Sequence, residues 1–146
     1  MAAITQITVY VKTADQTAAD TRSPVWLGIA GREFRLAAAD SGAFARGAEF
    51  TFQIGENSTI DNGQWIDPRF PQLDTDDLDR YPAYIRMRNE GSEPAWLLER
   101  IQVTVNPQAE IKHRFDNPRL VGDAENARIW LDDNYGNVLF LKRFDG

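Results

Sequence analysis

The feature that most constrains this chain is a period-two alternation of apolar and polar side chains, repeated in short runs from end to end. Ile7, Val9 and Val11 form the first run, and Val25, Leu27 and Ile29 the second. Phe34 with Leu36, then Phe50, Phe52 and Ile54, then Ile85 with Met87, continue the pattern. Ile101, Val103 and Val105 follow, and then Ile111, His113 and Phe115. Successive side chains of an extended strand point to opposite faces, so this period specifies strands with one buried side. No stretch keeps a helical period over three turns. Many short strands separated by turn-forming residues predict an all-β chain, an antiparallel sandwich or barrel.

Two irregularities carry information. Leu98 and Ile101 are out of phase by one residue, which predicts a bulge near Glu99-Arg100 that restores the face. Ile129 with Leu131, and Val138 with Phe140, flank Asp133 to Asn137 and predict a closing hairpin. The expected interior comprises Val9, Val11, Leu27, Phe52, Ile85, Trp96, Leu98, Ile101 and Trp130, with Phe50 and Phe115 also inward. Trp26 falls on the opposite face from Val25 and Leu27.

With 146 residues the chain is long enough for one domain, 1–146, with its own core. There is no cysteine and one histidine, which removes thiolate catalysis, cysteine zinc sites, disulfides and multi-histidine metal sites. The net charge of −6 argues against a nucleic-acid partner, whose phosphates need a basic surface. All of that charge lies in residues 56–79, where Glu56, Asp61, Asp67, Asp74, Asp76, Asp77 and Asp79 face Arg69 alone. The same segment holds Asn62-Gly63, Pro68 and Pro71, so it predicts a long acidic loop inserted between two strands.

Three ordered stretches resemble the PLAT (polycystin–lipoxygenase–alpha-toxin) family. ITVYVKTADQTAADTRSPVWLGI, Ile7 to Ile29, is similar to its opening strand, loop and second strand. FARGAEFTFQI, Phe44 to Ile54, is similar to its Phe-x-Arg-Gly turn and the strand after it. IRMRNEGSEPAWLLERIQV, Ile85 to Val103, resembles its Ile-x-Ile-Arg strand and Trp-Phe-Leu-Asp-Arg-Val-x-Val signature. Arg128-Ile129-Trp130-Leu131 resembles the closing Arg-Trp-Leu element. The resemblance implies a two-sheet antiparallel β-sandwich of about eight strands. It also implies a non-catalytic module that docks on lipid, membrane or a partner protein.

Some relatives in that family bind calcium in end loops. The matching residues here are Asp15, Asp20 and, across the loop, Glu93. Calcium takes six to eight oxygens, and Ala18 and Arg22 stand where further acidic ligands would be needed. Calcium is therefore possible but not favoured, and no cofactor is expected. Asp74, Asp76, Asp77 and Asp79 are denser, but D-T-D-D-L-D lacks the glycine and final glutamate of an EF-hand loop.

Trp26, Trp65 and Phe70, together with those four aspartates, are the candidate lipid- or partner-binding residues. An exposed aromatic in a loop inserts at a membrane interface or anchors a protein contact. A partner with a basic face would suit the acidic segment. Arg86, Arg88 and Arg100 on one strand pair, with Lys142 and Arg143 at the C-terminus, form a candidate basic patch. A carbohydrate-binding reading uses Trp26, Trp65, Tyr81 or Tyr84. No nucleophile elbow, Walker loop or dinucleotide fingerprint is present, and the chain is expected not to be an enzyme. The missing signal stretch and cysteines point to a cytoplasmic location.

Overall fold

The computed structural model describes residues 2–38, 42–89, 95–117, 128–134 and 136–144. Ten strands and one short helix follow in order: β1 Gln6–Thr13, β2 Val25–Ile29, β3 Arg32–Arg35, β4 Glu49–Gly55, α1 Asp77–Arg80, β5 Tyr84–Met87, β6 Trp96–Val105, β7 His113–Asp116, β8 Ile129–Leu131, β9 Val138–Phe140 and β10 Lys142–Arg143. They form two antiparallel sheets. One runs β10-β7-β6-β1-β4, with β8 also on β6; the other runs β3-β2-β5-β9. The two sheets pack as the expected sandwich.

The inward alternation is met closely. Ile7, Val9, Val11, Phe52, Ile54, Ile101 and Val103 face Leu27, Ile29, Phe34, Ile85 and Met87 in one buried cluster. Trp96 is fully buried, and its indole Nε1 donates to Thr13 Oγ1 at 2.9 Å, so its one polar atom is satisfied. Phe44 stacks edge-on to Trp96 with centroids 5.2 Å apart. Phe50 is only half-buried, packed on Phe52 at the margin.

The bulge is where the phase break placed it. Lys12 pairs with Arg100 but Thr13 pairs with Leu98, leaving Glu99 as the extra residue. Leu97 therefore points outward. Ala14 and Ala19 cover it as a small second cluster.

The closing hairpin does not form. β8 pairs with β6, Trp96↔Leu131 to Leu98↔Ile129, whereas β9 pairs with β5, Tyr84↔Phe140 to Arg86↔Val138. The chain crosses from one sheet to the other between them. Two apolar faces, each open beside a longer strand, outcompete a short pairing with each other. Trp130 is corrected too. Ile129 and Leu131 point inward, so strict alternation leaves Trp130 outside and 42% exposed. Ile111 is likewise outside, before the first residue of β7.

Residues 56–79 do lie between two strands, β4 and β5, but they are packed rather than looped out. Thr59 N donates to Gln53 O and Asp61 N to Ala37 O, so the segment first turns back along the outer strands β4 and β3. It then closes one end of the sandwich. Ile4 N donates to Leu73 O and Thr75 N to Ala2 O. Ile60 and Leu78 reach the main core. The segment thus bonds to the outer edge of β4 at Gln53 and to the chain just beyond β3 at Ala37.

Candidate functional site

The best-defined exposed apolar surface sits on this segment. Trp65 is 74% and Phe70 69% exposed. Their backbone is held from outside the segment by Arg32, at the start of β3. Its guanidinium donates to the carbonyls of Asp67 (2.6 Å), Trp65 (3.0 Å) and Phe70 (3.2 Å). A guanidinium offers five donors in a fixed fork, so one side chain fixes three points of the backbone at once. Nothing local in the sequence marks Arg32 for this role, because its partners are more than thirty residues away.

A second clamp lies inside the segment. Asp67 is buried, and its carboxylate accepts from Arg69 Nε (3.0 Å), Arg69 Nη2 (2.8 Å) and Arg69 N (2.8 Å). These hydrogen bonds hold the Asp67 carboxyl below the usual carboxylate range, against the opposing effect of burial. Arg69 also lies 5.8 Å from the Phe70 ring centroid. Tyr81, half-exposed, lies over Gly31 in the β2–β3 turn, where an added Cβ would stand 2.7 Å from its ring. Gly31 under Tyr81 and Arg32, which holds the Trp65 and Phe70 carbonyls, are thus neighbours at the same turn.

Three of the four clustered aspartates, Asp74, Asp77 and Asp79, accept hydrogen bonds within the chain. Asp74 accepts from Asp76 N, and Asp77 accepts from Asp74 N and Arg80 Nη1. Asp79 accepts from Arg143 Nη1 in β10. The first two pairings are local turn and helix-start contacts, the commonest use of aspartate in such positions.

Trp26 is elsewhere. It is half-buried on the outer face of the four-stranded sheet, with Arg86 4.0 Å and Arg35 5.8 Å from its ring. Its pairing with Arg35 places it at the end of β2 away from the β2–β3 turn, so it does not join Trp65 and Phe70. Tyr84, on the same outer face, lies against Phe140 and donates to Glu33, which Arg86 also holds through two hydrogen bonds.

The basic patch does not assemble. Arg86 pairs with Glu33 on one sheet, Arg100 with Asp116 on the other, and Arg143 with Asp79. The carboxylates across the strands take these cations one by one. At the opposite end of the sandwich, Asp15 is bonded to Arg46 at 3.0 Å, and Asp20 borders a crevice that also contains Arg22 and Arg35. Glu93 lies outside the described residues. Among the described residues, no group of three or more His, Asp or Glu side chains is placed to hold a metal ion. No helix among them is long and apolar enough to cross a membrane.

No family model and no curated protein sequence matches the chain. Solved structures do. Coral 8R-lipoxygenase, described as having calcium activation via a C2-like domain, matches 94% of this chain and 17% of its own, at 14% identity and a TM-score of 0.59. Clostridium perfringens alpha-toxin matches 96% of this chain and 32% of its own, at 16% identity and a TM-score of 0.58. The alpha-toxin from Clostridium absonum matches 97% and 32%, at 19% identity and a TM-score of 0.55. The fold is therefore that of the PLAT/C2-like domains of lipoxygenases and alpha-toxins. The chain spans a minor part of each of those longer proteins.

Proposed function

We propose that this chain is a non-catalytic docking module whose Trp65 and Phe70 enter the interfacial zone of a lipid bilayer. One observation carries the reading: two large aromatic side chains, 74% and 69% exposed, stand on backbone that a single guanidinium immobilises. Tryptophan settles at the boundary of water and hydrocarbon because one edge is apolar and the other donates a hydrogen bond. A preorganised loop loses little conformational entropy on insertion. Burying both rings contributes roughly 3–6 kcal/mol, a weak association by itself. The PLAT/C2-like fold supports the same reading.

The charge of the segment selects the surface. A local charge of −6 is repelled by an anionic leaflet. The module therefore prefers zwitterionic lipid, and the Arg46–Asp15 pair leaves the end loop poorly suited to recruit calcium. A protein partner with a basic face is the second reading. It would use Asp74, Asp76, Asp77 and Asp79, but the bonds that Asp74, Asp77 and Asp79 already make favour the lipid reading.

The test is sedimentation with phosphatidylcholine vesicles, with and without added phosphatidylserine, in calcium and in chelator. Binding to phosphatidylcholine in chelator, lost in Trp65→Ala/Phe70→Ala, supports the reading. Failure of the wild-type chain to sediment, or equal sedimentation of the double variant, overturns it.

A further inference from the structure

A groove of about 760 Å³ crosses the outer face of the six-stranded sheet. Small-ligand sites occupy about 300–1,000 Å³. The strand register defines its walls. One row of outward side chains runs Thr8, Thr104, Arg114 across β1, β6 and β7; the next runs Tyr10, Gln102, Asp116, Lys142 and extends to β10. Phe144 N donates to Arg114 O, which brings Phe144 to the end of the first row. With strands about 4.8 Å apart, the rows span roughly 14 Å. Rings close the groove at both ends, Tyr10 on β1 and the half-exposed Phe144 beyond β10.

The side chains between the rings include the neutral hydrogen-bonders Thr8, Thr104 and Gln102; the Thr8 hydroxyl donates to Gln53 Oε1 at 2.9 Å and is left to accept. Asp116 also lines the groove, but its carboxylate accepts from Arg100 Nε (3.0 Å), Arg100 Nη2 (2.6 Å) and Asn117 N (2.9 Å). Its charge is thus balanced by Arg100. Arg114 and Lys142 bring two cations to the β7–β10 end, beside Asp116, on a chain whose net charge is −6. The Lys142 ammonium lies 5.2 Å from the Phe144 ring centroid. At the far end the Tyr10 hydroxyl donates to Glu49 Oε1 at 2.5 Å. Burial first, and then Glu49, push that phenol up to about 12, so it remains a neutral donor across the ordinary range.

We propose that this groove binds a short acidic oligosaccharide. The ligand's hydroxyls meet Thr8, Thr104 and Gln102, one sugar face lies on Phe144, and a carboxylate meets Lys142 and Arg114. β1, β6 and β7 are each paired on both sides, so an added peptide strand finds an edge there only at the two-residue β10, too short to hold one. Two cations are too few for a nucleic-acid backbone. This site is distinct from the Trp65–Phe70 surface and does not depend on it.

Calorimetric titration of the whole chain with trigalacturonate, and with maltotriose as the neutral probe, tests the proposal. Trigalacturonate binds more tightly than maltotriose. Lys142→Ala and Gln102→Ala each weaken it, the first by about tenfold, the loss expected for one charge-assisted hydrogen bond. Thermal melting unchanged by these exposed substitutions shows that the fold is intact. Trp65→Ala/Phe70→Ala leaves the sugar titration unaltered. No binding of trigalacturonate at about 10 mM, where even weak sites fill, overturns the proposal. So does equal affinity for maltotriose, or affinity unmoved by Lys142→Ala.

Discussion

Arg143 and Asp79, 64 residues apart, are joined by an ion pair in which Nη1 lies 2.5 Å from Oδ1. The pair ties the last strand to the acidic segment. The Arg143 guanidinium also meets His113 Nδ1 at 3.0 Å and lies 5.8 Å from the Phe115 ring centroid. It therefore sits on the margin of the six-stranded sheet with apolar and polar support at once.

The Asp79 side chain is 71% exposed, so solvent screens the attraction. Asp79→Asn should cost no more than about 1 kcal/mol, and the cost should shrink with added salt. Arg143→Ala should cost more, because it also removes packing over Phe115. Urea unfolding of both variants at low and high salt measures the difference. Equal costs would show that the ring contact contributes nothing.

Arg32→Ala should destabilise the fold by about 2–3 kcal/mol, since three carbonyls lose a charged donor. Arg32→Lys should restore little, because an ammonium cannot fork across three acceptors. Hydrogen exchange should accelerate at residues 65–70 before anywhere in the sheets. Uniform acceleration across the chain would show that Arg32 supports the whole sandwich and does not single out this loop.

Acid should unfold the chain through its paired carboxylates. Arg69 hydrogen bonds lower the Asp67 pKa, Arg86 hydrogen bonds lower that of Glu33, and Lys12 and Arg128 hydrogen bonds lower that of Glu99. A lowered folded-state pKa adds stability above the unfolded values of about 3.9 for Asp and about 4.3 for Glu, and that stability is lost as pH falls through the folded values. Melting temperature should be flat from about pH 5.5 to 8 and fall steeply below about pH 4. Asp67→Asn should lower stability on the plateau by about 1–3 kcal/mol and flatten the acid limb. A limb of unchanged slope would remove Asp67 from this account.

Gly55→Ala should cost about 2–3 kcal/mol. Gly55 has φ +90°, and an added Cβ would stand 2.4 Å from Thr5 O, a backbone atom that cannot swing aside. The residue ends β4 at the entry to the acidic segment, so vesicle sedimentation should weaken along with the melting temperature. A full loss of sedimentation with no loss of stability would instead place Gly55 in the docking surface itself.

The strands, their inward faces and the bulge were legible in the sequence, because each is local. Cβ direction alternates along any extended chain, so Val9, Val11, Leu27 and Ile85 declare their side without reference to a partner. The phase break between Leu98 and Ile101 declared the extra residue at Glu99 for the same reason. The acidic segment was legible as charge, and Trp65 and Phe70 as the aromatics within it. Pairing was not legible. Whether residues 129–131 and 138–140 join each other or separate sheets depends on which edges β6 and β5 leave open, and the alternation is identical in both cases. Trp130 is outside in either case, because it alternates with Ile129 and Leu131; its inward expectation rested on the family signature and not on the alternation. The pairing of Arg32 with the 65–70 carbonyls, of Asp79 with Arg143, and of the two rows that line the groove was not legible either. Alternation states which way a side chain points. Which residues end up opposite it is decided by sheet order among sequence-distant strands, where edges compete for partners, and that competition exists only in three dimensions.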